Sequence, residues 1–461
     1  MMINPFTRIV AVCLLAAAPL AKAGDFSRRG GTQTALDRYL ARPDPAYRWK
    51  VVDTLSDAGG TAWLIDLTSQ SWLTAKEVNR PEWRHWLWVL KPKNLAHPTA
   101  LLMLGGGMND GKRPGAPSSE LIRSAKETQS VVAELGMVPN QFLVFNQDGR
   151  ERREDDLIAY TWDQFLRTGD ERWPARLPMT KAAVRAMDTI TAFLASAGGG
   201  GVKVDSFVVA GASKRGWTTW TTAAVDTRVK AICPIVIDAL NTEPSMNHHY
   251  RSYGFYAPAV GDYIRHGIME WSGTPELEAL YRIEDPFSYR DRLTMPKLIL
   301  NACGDQFFAP DSSQFYFDQL PGVKYLRYVP NTGHSLKHSD AMDTLRAWHY
   351  AILSQTALPV FKWKHGADGS VAVQCDSPPK SATLWQAHNP NARDFRLITI
   401  GPAWKSHALT GTAADGKTEF RSQVPKPEKG WTAYLVELTY DLGAGVPLKL
   451  TTDVRIVPDV L

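Results

Sequence analysis

Cysteine is scarce in this chain, with only Cys13, Cys233, Cys303 and Cys375 among 461 residues. Three of them follow the N-terminal segment, and an odd three cannot make a fully paired disulfide framework. Cys233 and Cys303 fall in apolar, strand-like runs, where a buried free thiol is the expected state. Charge of one sign is also nearly lacking in excess. The formal net charge is +5, with no clustered basic face of the kind that binding nucleic acid requires. Beyond the first twenty residues there is no apolar run long enough for a bilayer, which excludes an integral membrane protein once the N-terminal segment is removed. No internal repeat or low-complexity stretch occurs. The one triple glycine, Gly105-Gly106-Gly107, lacks the following Gly-Lys-Ser/Thr of a phosphate-cradling loop, so no nucleotide cofactor is expected. No metal is expected either.

What is present is core material: 44% of residues are hydrophobic and 21% charged, a globular balance. The N-terminus combines Arg8, an apolar run from Ile9 to Leu20, and Ala21-Lys22-Ala23 before Gly24. This is the pattern of a secretory signal peptide over residues 1–23, giving an exported protein, periplasmic or secreted. The run is shorter than the ~20 residues of a spanning helix. Loss of Arg8 and Lys22 would leave a net charge of +3.

Between residues 24 and 356, short apolar runs ending in Gly, Pro, Asn or Asp alternate with helical patterns, which predicts an α/β domain with a doubly wound, mostly parallel sheet. Arg48 to Leu55, Thr61 to Thr68 and Trp86 to Leu90 read as antiparallel strands at its start. Leu101 to Leu104, Gln141 to Phe145, Asp205 to Ala210, Val229 to Ile237, Lys297 to Asn301 and Lys324 to Val329 read as parallel ones. Ser119 to Leu135 and Thr180 to Ser196 read as helices. Residues 239–293 lose the strand pattern and are expected to form a helical cap insertion. Residues 357–461 are β-rich and turn-rich, predicting a small β-sandwich of Ig-like type.

Gly211-Ala212-Ser213-Lys214-Arg215-Gly216 follows a strand and precedes a helix. A serine on such a turn projects its hydroxyl while the next backbone N–H faces the position of a developing oxyanion. Arg215 stands where a small residue is usual, and the alternative for Ser213 is a helix cap. Asp305, just past the Lys297 to Asn301 strand, suits the carboxylate that orients a histidine; Asp311 and Asp238 are its rivals. Asp311 precedes Gln314 in the manner of a capping box. His334, after Pro330-Asn331-Thr332-Gly333, suits the general base, with His338 the nearby alternative. Ser, Asp and His in this order at successive strand ends form the triad of a serine hydrolase. The oxyanion donors are expected from the backbone of Lys214 with Gly106 or Gly107.

Other residues are candidates for substrate contact. Glu154 and Asp155 open a helix and could grip an amine, although acids at a helix start also answer its dipole. His248 and His249 in the insertion could line a pocket. As neighbours on a helix they point in different directions and make a poor metal pair.

The sequence resembles the PhoPQ-activated pathogenicity-related protein family, from about Ala35-Leu36-Asp37-Arg38-Tyr39 to the C-terminal strands. The resemblance rests on the blocks Leu67 to Trp72, Val138 to Gln141, Glu154 to Trp162, Leu177 to Lys181 and Gly211 to Trp217, and on Gly304 to Phe308 and Val329 to Asn331 with His334. It implies an α/β-hydrolase fold and makes Arg215 part of the family's own turn, which is similar to that of prolyl-oligopeptidase-like enzymes and glucuronoyl esterases. It also implies an exported protein, in some members tied to virulence, antimicrobial-peptide resistance or growth repression. Three activities are compatible with these residues: a peptidase of dipeptidyl-peptidase type acting on peptides, a carboxylesterase acting on esters, and a binding or signalling protein on an inert scaffold.

Overall fold

In the computed structural model residues 7–8 and 31–461 are described; apart from Thr7 and Arg8, the expected leader over residues 1–23 lies outside the described residues. The first hairpin shows how local sequence sets the frame. Asp57 Oδ1 accepts the N–H groups of Gly59 at 2.7 Å and Gly60 at 3.1 Å, closing the turn between β2 (Arg48–Asp57) and β3 (Gly60–Ser71). With β1 (Thr7–Arg8) and β4 (Glu82–Pro92) these strands form an antiparallel run. β5 (His97–Leu104), β6 (Ser130–Leu135) and β7 (Ser206–Ala212) follow. Their order is β4-β6-β5-β7, with β6 antiparallel to β4 and parallel to β5, and β5 parallel to β7. β8 (Val229–Ile235) leads the chain from the first compact unit, Met1–Ile232 with Asp262–Met295, into the second, Cys233–Gly261 with Pro296–Leu461.

The second unit holds β9 (Lys297–Ala302) parallel to β10 (Lys324–Val329). Its C-terminal part adds β11 (Phe361–His365), β12 (Ser370–Cys375), β13 (Ser381–Asn389), β14 (Lys405–Leu409), β15 (Thr412–Ala414), β16 (Lys417–Gln423), β17 (Trp431–Tyr440), β18 (Leu448–Thr451) and β19 (Arg455–Val457). One sheet continues from β10 in the order β10-β18-β17-β13-β14, and a separate sheet runs β11-β12-β16-β15. The chain thus supplies a mostly parallel sheet flanked by helices, a helical insertion and a β-rich C-terminal region.

Three local expectations need correction. Ser119 to Leu135 is not one helix: the helix stops at Thr128, Gln129 takes a left-handed conformation with φ 49°, and Ser130–Leu135 is a strand. That strand takes the position beside β5, so Gln141 to Phe145 forms no strand. Its aromatic end packs instead, with Phe145 stacked 4.8 Å from Tyr160 and edge-on to Trp72. Phe395 to Ile398, an apolar run that reads as a strand of the C-terminal β-rich region, is likewise none, and a short helix covers Leu397–Ile400.

The insertion is helical, with helices Thr242–Tyr253, Gly261–Arg265 and Pro275–Glu284, and its two halves fall in different compact units. The second unit continues through residue 357. Buried Arg327 on β10 ion-pairs with Asp340 and with Glu437 on β17, which ties the C-terminal strands into the unit. Cys233, Cys303 and Cys375 are buried free thiols. Among the described residues no helix is long and apolar enough to cross a membrane.

Candidate active site

The first unit carries a strand-to-helix turn. β7 is buried until Gly211, after which Ser213 takes φ 59° and ψ −126° and the helix Lys214–Val225 begins. A non-glycine residue in this region is strained by roughly 1–3 kcal/mol, a cost met chiefly at functional sites. Ser213 occupies the N-cap position, yet its side chain makes no capping hydrogen bond, so capping does not account for the serine. Gly211 is demanded by close approach: a Cβ there would lie 2.7 Å from Arg215 O.

Beneath the turn, the Arg176 guanidinium donates to Lys214 O at 2.7 Å and pairs with Glu284 at 3.2 Å. Both side chains are almost wholly buried, and Trp217 Nε1–H donates to Glu284 O. Burial raises the Glu284 pKa while Arg176 opposes the rise. Removing one partner of such a pair leaves an uncompensated buried charge. Glu284→Ala is therefore expected to destabilise the fold by about 3–5 kcal/mol in urea unfolding; a loss below about 1 kcal/mol would show that the pair does not support the turn.

The glycine loop after β5 is held by its carbonyls. Gly105 O accepts from Val138 N–H at 3.1 Å, Gly106 O from Met137 N–H at 2.7 Å and Gly107 O from Gln141 Nε2 at 3.1 Å. In a trans peptide the N–H points opposite to the preceding C=O. The N–H groups of Gly106 and Gly107 are therefore turned away from the Met137–Val138 segment.

Glu154 and Asp155 lie at the start of the helix Glu154–Thr168. Glu154 pairs with Lys214 Nζ at 2.7 Å and Arg215 Nη2 at 2.6 Å, and accepts from Gln141 Nε2 at 2.7 Å. Burial pushes its pKa up, but Lys214 and Arg215 outweigh this and hold it at about 2. Asp155 receives the Tyr263 hydroxyl at 3.2 Å and lies 3.4 Å from Lys214 Nζ. The negative charge expected to grip an amine is thus answered by cations of the serine turn.

The second unit carries an Asp–His pair. Asp305 follows β9, and its Oδ2 and Oδ1 lie 2.8 and 3.1 Å from His334 Nδ1. Asp305 Oδ1 also accepts the Phe307 N–H at 2.8 Å, and the Phe307 ring lies 4.3 Å from the imidazole. With Nδ1–H donating to the carboxylate, Nε2 is the basic nitrogen. The loops are braced locally. Gly304 N–H donates to Thr332 O and Leu397 N–H to Gly304 O, while the Asn331 amide both donates to and accepts from the Trp404 backbone. The C-terminal region thus holds the histidine loop in place.

The rival residues are engaged elsewhere. Asp311 binds His248 Nε2 at 2.9 Å and Arg393 at 2.6 Å. Its carboxylate does not cap the following turn, so the expected capping box is replaced by this buried cluster. Burial alone would raise its pKa, but His248 and Arg393 hold it well below the carboxylate range. His249 Nε2 accepts the Ala257 N–H at 2.9 Å, and burial lowers its pKa to about 4. Both histidines, expected as substrate contacts, are buried structural groups. His338 is exposed in the turn before the helix Ala341–Leu353.

Asp238 is fully enclosed and receives the hydroxyls of Tyr316 at 2.5 Å and Tyr328 at 2.6 Å. Burial raises its pKa to about 7 against the effect of the two hydroxyls. Its folded pKa lies above its unfolded value near 4, so the folded state holds the proton more tightly. The stabilising contribution is full below about pH 4 and is lost as pH rises to about 7. Asp238→Asn should flatten this decline, which unfolding midpoints measured from pH 4 to pH 8 would show; an unchanged slope would contradict the assignment.

Sequence reasoning missed Arg215, Gln141, Arg176 and Glu284 as site residues. Arg215 registered only as a departure from the usual turn, because its partners Gly106, Val138 and Glu154 are distant in sequence.

Comparison with known proteins bears on the whole chain. A family model described as PhoPQ-activated pathogenicity-related protein matches residues 36–396. Autocrine proliferation repressor protein A of Dictyostelium discoideum is 36% identical over 457 residues, covering 93% of this chain and 91% of that protein. Among solved structures, the acetyl xylan esterase of Paenibacillus sp. R4 aligns with a TM-score of 0.46 at 15% identity, over 68% of this chain and 94% of that one. Acetyl xylan esterase 1 of a Thermoanaerobacterium species aligns with a TM-score of 0.44 at 15% identity, over 68% and 93%. A puromycin-hydrolyzing peptidase of Mycobacterium tuberculosis aligns with a TM-score of 0.38 at 13% identity, over 68% and 48%. The family model spans residues 36–396 and the relative aligns over 93% of the chain; the chain belongs to the PhoPQ-activated pathogenicity-related protein family.

Proposed function

We propose that this protein is an exported serine hydrolase that cleaves esters by acyl transfer. Ser213 Oγ attacks the substrate carbonyl carbon while His334 Nε2 takes the hydroxyl proton. The carbonyl π electrons move to oxygen, and the resulting oxyanion accepts hydrogen bonds from the backbone N–H groups of Lys214 and of Gly106 or Gly107. Collapse expels the alcohol, protonated by His334, and leaves an acyl-serine. Water, deprotonated by His334, then releases the acid and restores Ser213. Asp305 holds the imidazole tautomer and offsets its transient positive charge.

The observation that carries this reading is the strained, non-capping Ser213 on its strand-to-helix turn. An ester substrate is favoured over a peptide because the acids that would have gripped a peptide amine are paired with Lys214 and Arg215. A panel of short acyl esters and fluorogenic dipeptide amides tests the choice. Esters should be cleaved far faster than any amide, whereas efficient Ser213-dependent cleavage of dipeptide amides would restore the peptidase. No turnover of any member would leave the binding or signalling protein.

A further inference from the structure

The residue two positions after Ser213 does something other than fill a turn. Arg215 Nε–H donates to Val138 O at 2.6 Å, and its Nη2 meets Glu154 Oε1 at 2.6 Å. The same guanidinium lies against the glycine loop: a Cβ on Gly106 would come within 2.7 Å of Nη2. Val138 N–H in turn bonds Gly105 O, so one side chain spans the serine turn, the Val138 backbone and the loop. Gln141 closes the circuit. Its Oε1 accepts the Glu154 N–H at 2.7 Å, and its Nε2 donates to Glu154 Oε1 and to Gly107 O. Gln141 is 3% exposed, and Glu154 is held at φ 49° where this reciprocal pair forms.

We infer that Arg215, Glu154 and Gln141 are positioning residues that fix the Gly105–Gly107 loop against the Ser213 turn, so that two separate chain segments present their N–H groups to one oxyanion. The inference rests on the serine hydrolase reading above. Its physical basis is that oxyanion donors act by preorganisation, and a displacement of about 1 Å can cost ~10²-fold in rate. A glycine loop cannot hold its own peptide planes, because glycine is the most permissive residue. The brace supplies that order through carbonyl acceptors and leaves the loop's N–H groups turned away from the segment that anchors it.

The test compares wild type, Arg215→Met, Glu154→Gln and Gln141→Ala on a p-nitrophenyl ester, with thermal unfolding as a check on the fold. Glu154→Gln keeps the side-chain shape and serves if Arg215→Met does not fold. The expected result is kcat about 100-fold lower with KM changed by no more than about threefold. Affinity for a trifluoromethyl ketone, which forms a tetrahedral oxyanion, should fall in parallel with kcat. Arg215→Lys should restore little, since an ammonium cannot span Val138 O and Glu154 together. Folded variants that keep kcat and ketone affinity within threefold of wild type would overturn the brace. Wild type that neither turns over ester nor binds the ketone would overturn the hydrolase reading itself, and the brace with it, so the two failures are distinct.

Discussion

Replacing His334 with alanine is expected to lower ester turnover by roughly 10³ to 10⁶-fold, the range met when a triad member that handles the proton is lost. The expectation follows from the division of labour on the imidazole. Nδ1 is committed to Asp305 at 2.8 Å, which leaves Nε2 as the only nitrogen able to take a proton from a nucleophile. Water is a far weaker base than imidazole and does not substitute for the lost group. KM should change little, because the imidazole handles a proton and binds no fixed part of the substrate. Activity within tenfold of wild type would exclude His334 as the base and redirect attention to His338, the exposed neighbour.

Asp305→Asn should cost about 10⁴-fold in kcat with the fold intact, as an amide in this position favours the wrong tautomer. Asparagine is nearly isosteric and can still accept the Phe307 N–H. The change therefore isolates the charge and the hydrogen-bond polarity at Nδ1. The two rivals cannot take over without rearrangement. Asp311 is locked to His248 and Arg393, and Asp238 is enclosed by two tyrosine hydroxyls with its pKa raised to about 7 by burial. Near-normal activity in Asp305→Asn would mean that the carboxylate role lies elsewhere.

The strand ends that carry Ser213, Asp305 and His334 were legible in the sequence. Asp305 is three residues past the end of β9 and His334 five past the end of β10. The turn residues Gly304 and Pro330 to Gly333 mark both loops in the sequence. Ser213 was legible for the same reason. What could not be read was anything decided by tertiary competition. Ser130–Leu135 continues the amphipathic pattern of the preceding helix, and the break is made by Gln129, a residue with no turn signature, in a left-handed conformation. Gln141 to Phe145 has the composition of a strand but loses the place beside β5 to Ser130–Leu135.

Charged candidates failed for a related reason. Glu154 looked like a ligand group because a sequence shows an acid without showing its cations. Lys214 and Arg215 lie about sixty positions further on and arrive only through folding. The adjacent histidines of the insertion were similar. His248 and His249 point to different partners, as neighbours on a helix must, and both partners are structural. The C-terminal region shows the converse. Nothing in its strand pattern suggested contact with the loops after β9 and β10, yet Leu397 and Trp404 bond the backbone and side chain that carry the Asp305 and His334 loops.

The nucleophilic hydroxyl is best tested by reaction of the folded wild-type protein with a fluorophosphonate, followed by intact mass and peptide mapping. One phosphonyl adduct per chain is expected, carried by Ser213, formed rapidly in the wild type and only very slowly in His334→Ala. An unmodified Ser213 in folded protein, or an adduct on another residue, would contradict the assignment of Ser213 as nucleophile.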